Sequence, residues 1–134
     1  MKTALIFLIS LSSIGVALLT KDRLTNTIWI FRIANGCNDT LSLKPDQKVF
    51  EYDCELNYTL KGSYRITKDT LLLIMKDDSH PEDHGKIYYF HDKYLISKTA
   101  LHYIGHSELI NGKWHDTKVK FDQNIEYLKL TNTK

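Results

Sequence analysis

From Phe50 to Ile66 the chain alternates without interruption. The even positions read Phe50, Tyr52, Cys54, Leu56, Tyr58, Leu60, Gly62, Tyr64 and Ile66, and the odd ones Glu51, Asp53, Glu55, Asn57, Thr59, Lys61, Ser63 and Arg65. A helix would scatter these two sets around its circumference, whereas an extended chain sends them to opposite faces, one dry and one wet. A single strand of that length is rare. A bend or a three-residue loop near Glu55 is therefore expected to divide it with the faces kept in phase, so that Tyr52, Tyr58 and Tyr64 all point inward.

The same period continues along the chain. "TIWIFRI" supplies an opening strand with Trp29, Phe31 and Ile33 on one side, and "ITKDTLLLIM" folds back at Lys68-Asp69, setting Ile66 against Leu71 and Tyr64 against Leu73. "KIYYFHDKYLIS" reads as a hairpin around Asp92-Lys93, and Asn111-Gly112 is the strongest hairpin signal present. "IEYLKL" ends the series. No segment after the first twenty residues repeats its apolar residues at helical spacing over three turns. The expected fold is all-β: an antiparallel up-and-down barrel of about eight strands, since closure removes exposed edges.

"MKTALIFLISLSSIGVALLT" has one basic residue, an apolar stretch interrupted by serines, and small residues before "KDR". This is the layout of a secretory signal peptide, expected to be a helix over residues 1–20 and to be cleaved between Ala17 and Lys21, with the barrel domain over 21–134. The stretch is short of the roughly 20 apolar residues that span a bilayer. The mature chain is thus expected to be secreted or periplasmic, monomeric and without a membrane anchor. Eighteen basic and sixteen acidic residues leave a formal charge of +2, with the lysines scattered singly, which argues against nucleic acid as a partner.

Both cysteines bracket one alternating segment, Cys37 to Cys54. If Pro45-Asp46 makes the turn and Lys44 pairs with Gln47, then Leu41 faces Phe50, Asp39 faces Tyr52, and Cys37 faces Cys54 at a separation suited to a disulfide. A secretory route favours the bridge. Two free thiols, or a metal held by the pair, are the alternatives.

The first-strand Trp29, "NDTLSLKPDQKVFEYDC", "LKGSYRITKDTLLLIM" and the final "YLKL" resemble the small secreted lipocalin-like domain proteins of bacteria. The resemblance spans roughly residues 24–130 and implies an eight-stranded barrel outside the cytoplasm with no assigned activity. Thr27-Ile28-Trp29 stands where lipocalins have glycine-x-tryptophan, and no arginine lies near the last strand to stack on the tryptophan.

Three sites carry candidate chemistry. The inward tyrosines suggest an amphiphilic pocket formed by Tyr52, Tyr58, Leu60, Tyr64 and Leu73 that takes a small apolar or amphipathic guest. The Asn111-Gly112 hairpin puts His106, Glu108 and His115 on one face, a ligand set for zinc or copper or a pH-sensitive cluster. "KDDSHPEDHG" gathers carboxylates and imidazoles but lacks the glycine and glutamate of a calcium loop, and reads as a charged connection. Ser107 points away from His106 and Glu108, and no nucleophile elbow or phosphate loop is present. No catalysis and no cofactor are expected. A secreted interaction or inhibitor module with a filled barrel, acting through Leu72, Ile74 or Trp114, is the rival to ligand binding.

Overall fold

The computed structural model describes residues 24–80, 82, 84–117 and 125–130, so the expected signal peptide lies outside the described residues. Nine strands follow in order: β1 Thr27–Ala34, β2 Cys37–Leu43, β3 Lys48–Asp53, β4 Tyr58–Thr67, β5 Thr70–Asp77, β6 Tyr88–Ile96, β7 Ala100–Ile110, β8 Lys113–Thr117 and β9 Glu126–Lys129. Each strand from β1 to β7 pairs antiparallel with the next. β9 then enters between β7 and β1 and closes an eight-stranded barrel. The long β7 serves two partners on one edge: Ala100–His102 pair with β9, and His106–Ile110 pair with β8. β8 therefore extends beyond the closed ring as the second arm of a hairpin.

The turns fix which side chains enter the barrel. The Lys68-Asp69 and Asn111-Gly112 hairpins have the expected registers, with Tyr64 opposite Leu73 and Glu108 opposite His115. Asn111 and Gly112 both take positive φ, as a turn that matches strand twist requires.

Three other expectations are corrected. Pro45–Gln47 form one 3₁₀ turn, with Asp46 and Gln47 both at positive φ, so the turn takes up one more residue than a two-residue loop. Leu41 consequently faces Glu51 instead of Phe50, and Thr40 instead of Asp39 faces Tyr52. Next, Cys54 to Asn57 form a four-residue connection in which Asp53 pairs with Tyr58, and an even loop length inverts the phase. β3 thus turns its odd face, Val49 and Glu51, inward, and Tyr52 lies on the outside. Finally, Asp92-Lys93 is no turn: β6 runs straight through it, pairing with β5 on one side and β7 on the other.

The disulfide forms despite the shifted register. Cys37 and Cys54 are bonded with Cα atoms 5.6 Å apart, just beyond the last β2–β3 pair, and the Cys54 N–H donates to Asp39 Oδ1 at 2.9 Å.

The interior has two unlike halves. The end near the Pro45 and Lys68 turns is filled by Leu24, Trp29, Leu43, Val49, Tyr64 and Leu71, all buried. Trp29 Nε1–H donates to Thr27 Oγ1 at 2.8 Å, Tyr64 O–H to the Lys44 carbonyl at 3.1 Å, and Lys129 Nζ stands 5.9 Å from the centre of the Trp29 ring. A lysine of the last strand thus meets the tryptophan where an arginine was missing from the pattern. The opposite end, ringed by the disulfide, the 78–87 connection and the β7–β8 hairpin, is the mouth, where the inward side chains turn polar.

Candidate functional site

A β-bulge builds the centre of the polar half. Tyr94 pairs with Tyr103 and Lys93 with Gly105, leaving Ile104 as an extra residue on β7. In a regular strand Tyr103 and His106, three apart, point to opposite faces. The extra residue re-aims the chain so that both point inward, as bulges do beside functional sites. Both meet Asp92: Tyr103 O–H donates to Asp92 Oδ1 at 3.0 Å, and His106 Nδ1 lies 2.7 Å from the same oxygen. His106 Nε2 reaches outward to Glu108 Oε1 at 3.2 Å.

The electrostatics of this chain follow from its burial. Asp92 is only 8% exposed, and burial raises its carboxyl above the usual carboxylate range, with the hydrogen bonds and charge of His106 pulling it back. For His106, burial pushes downward, but the hydrogen bonds and charges of Asp92 and Glu108 outweigh it and the imidazole is raised. With a carboxylate oxygen at each ring nitrogen, the doubly protonated imidazolium is the form that satisfies both contacts.

Across the barrel stands a second buried carboxyl. Glu51 Oε1 accepts a hydrogen bond from Tyr127 O–H at 2.9 Å, and burial together with the charge of Asp92 pushes it up to about 7, the Tyr127 bond acting against them. The Tyr94 ring links the two sides, edge-on to Tyr103 at 5.3 Å and to Tyr127 at 5.8 Å.

Above this network the mouth opens into a cleft of about 560 Å³. Its walls are Tyr88 and Phe90 from β6, and His106, Glu108 and Ile110 from β7; Asp77, His80 and Lys86 stand at the rim. Phe90 packs on the His106 imidazole with ring centres 5.5 Å apart. Asp77 and His80 of the "KDDSHPEDHG" segment belong to this rim: His80 bridges Asp77 at 3.2 Å and Glu82 at 3.1 Å, and its ring meets Tyr88 edge-on. Lys86 Nζ lies 4.7 Å above the Tyr88 ring.

The five residues expected to line an interior pocket are dispersed. Tyr64 and Leu73 are buried in the filled half, and Leu60 packs partly buried against it. Tyr58 donates to Asp78 at the mouth, and the outward Tyr52 donates to Asn57 Oδ1 at 3.0 Å. None of the five lines the cleft.

Of the three residues in the metal set, His106 and Glu108 meet, while His115 sits opposite Glu108 on the exposed strand β8. Among the described residues, no group of three His, Cys, Asp or Glu side chains is placed to hold a metal ion. Sequence reasoning missed Asp92, Tyr103, Glu51 and Tyr127. The available signal is an aspartate in the middle of an apolar, aromatic run, a pattern that by itself suggests a turn.

Comparison with protein-family models, curated proteins and solved structures returns no match for this chain. The eight-stranded antiparallel barrel is consistent with the lipocalin-like resemblance at the level of architecture. Among the described residues no helix is long and apolar enough to cross a membrane, and the disulfide fits an oxidising compartment.

Proposed function

We propose that this protein binds a small amphipathic molecule at the open end of its barrel, without turning it over. The observation that carries this reading is the cleft of about 560 Å³, whose aromatic walls, Tyr88 and Phe90, lead down to the hydrogen-bonded His106 and Asp92. A concave, mostly apolar site with a few convergent polar groups at its base is how proteins hold such ligands. Binding without chemistry fits the placement of Ser107, whose hydroxyl donates to Asp116 Oδ1 at 2.6 Å on the face away from His106. A location outside the cytoplasm, reached through the 1–20 leader, belongs to the same reading.

The test combines native mass spectrometry of protein purified from its own host with titration of a panel of amphiphiles. A retained small molecule, or saturable one-to-one binding that Phe90→Arg abolishes in a folded protein, is the expected result. Absence of both would end the proposal.

A second reading, a surface-acting interaction module, is supported by the outer face of the β6–β8 ribbon. There the exposed Trp114 stacks on His91 with ring centres 3.6 Å apart, and Leu109 is its register partner. Under that reading Trp114→Ser removes capture of a protein partner and leaves amphiphile binding as it was.

A further inference from the structure

We infer that the molecule taken up by the cleft is an amphiphilic anion, an apolar body bearing a carboxylate, sulfonate or phosphate, with its charged group on His106 Nε2 in the place now held by the Glu108 carboxylate. The inference rests on the binding reading above and specifies its ligand.

The two partners of His106 are unequal. Asp92 is a buried β6 carboxylate held by Tyr103 as well as by the imidazole, and the Phe90 ring packs on the imidazole from the side. His106 is thereby fixed in position and charge, its side chain only 19% exposed, with one N–H aimed into the cleft. Glu108, the acceptor at that N–H, has a side chain 53% exposed. An ion pair with so exposed a partner contributes little, so a ligand oxygen displaces it at small cost. The incoming anion meets a donor that is already desolvated and oriented, and charge-assisted bonds to such donors are the strong ones.

The other charged groups of the cleft do not reverse this preference. The Asp77 carboxylate is occupied by the N–H and hydroxyl of Ser79, at 2.9 and 2.6 Å, and by His80. Lys86, at the rim above Tyr88, adds a cation on the path inward. For a cationic guest the one carboxylate among the described lining residues that is not already held by several donors is Glu108 itself, and taking it leaves the His106 imidazolium without its outer partner. Tyr88, Phe90 and Ile110 supply the apolar surface for the body of the ligand.

The experiment compares two fluorescent probes of one scaffold on the purified mature chain: 1-anilinonaphthalene-8-sulfonate, and N-phenyl-1-naphthylamine, which lacks the sulfonate. The sulfonate is expected to bind about tenfold more tightly than its neutral counterpart, as one charge-assisted bond implies. Glu108→Gln is expected to tighten the sulfonate about threefold by removing its internal competitor, and to change the neutral probe less than the sulfonate. His106→Gln is expected to erase the difference between the probes. Because His106→Gln also deprives a buried carboxylate of its partner, its fold is checked by circular dichroism. The exposed Glu108 substitution keeps the test decisive should His106→Gln unfold. Equal affinities, weaker sulfonate binding in Glu108→Gln, or preference for a quaternary-ammonium analogue overturns the inference while the binding reading stands. Failure of every probe to bind overturns both.

Discussion

Glu51 illustrates how one side chain can set the pH response of the barrel. Its carboxyl, ordinarily near 4.5, is pushed up to about 7 by burial and by the charge of Asp92 across the interior. A raised carboxyl is one whose ionised form the folded state disfavours. Below about pH 4.5 it is protonated in both states and has no effect; between about 4.5 and 7 the unfolded chain gives up the proton and the folded one keeps it, so stability falls as pH rises. Above that window the penalty is constant, on the order of 3 kcal/mol for a shift of this size. Glu51→Gln keeps an acceptor for Tyr127 and has no charge to bury. Urea unfolding of both proteins should show Glu51→Gln more stable by about 3 kcal/mol at pH 8 and little different at pH 4. An equal gap at both pH values would show that packing, not ionisation, separates them. Gly62 sets a steric limit of another kind. A Cβ there would lie 2.3 Å from the Ile74 carbonyl oxygen and 2.8 Å from Met75 Sδ, so the β4–β5 ladder leaves no room for a side chain. Gly62→Ala is expected to cost about 2 kcal/mol or more in the same unfolding assay, since the backbone itself must shift.

Single elements show which parts of this architecture can be read from residues and which cannot. Asn111-Gly112 declares both its turn geometry and its length, and the register from Ile110 to His106 followed correctly. Pro45-Asp46-Gln47 announces a turn but not its length, because whether Gln47 adopts positive φ depends on what the strands on either side bury. One residue of difference there shifted every β2–β3 pair, and the even-length Cys54–Asn57 connection then inverted the phase of β3, which sent Tyr52 out and Glu51 in. The Ile104 bulge leaves no signal in the alternation, and plain alternation would put Tyr103 and His106 on opposite faces although they share Asp92. Asp92 reads as a turn in the sequence because a carboxylate inside a dry strand makes sense only once its partners are known. Two expectations belong to this scale. Ile104 is exposed and supernumerary, so its deletion should regularise the ladder, keep Tyr103 and His106 on Asp92, and change stability by less than about 2 kcal/mol. Persistence of the His106 imidazolium signals in nitrogen-15 spectra checks it; their collapse to those of a free imidazole would mean that the bulge does more than add a residue. The disulfide closes a loop with a sequence separation of 17 residues, so Cys37→Ser with Cys54→Ser should cost about 3 kcal/mol by denaturant titration.

At the scale of the whole molecule the barrel is divided along its axis, and under the proposed binding reading the division assigns stability and function to different ends. The alternate loops gather Leu43, Val49, Tyr64 and Leu71 at one end under Trp29, where all of these side chains are buried. Five strands carry an inward polar group toward the other end: Asp39 on β2, Glu51 on β3, Asp77 on β5, Asp92 on β6, and His106 and Glu108 on β7. A barrel of eight strands has an interior just wide enough for side chains to fill or for one small ligand. Here one half takes the first option, and under the proposed binding reading the other half takes the second. Under the proposed binding reading, a guest admitted at the mouth would meet the Tyr94, Tyr103 and Tyr127 rings before it reached the filled half. Backbone amide resonances should therefore move on titration with 1-anilinonaphthalene-8-sulfonate in Tyr88 to Asp92 and Gly105 to Ile110, and stay in place around Leu43, Val49 and Leu71. Shifts spread through those buried leucines would mean that the guest enters the core by displacing side chains, and the two halves would then have to be treated as one adaptable interior.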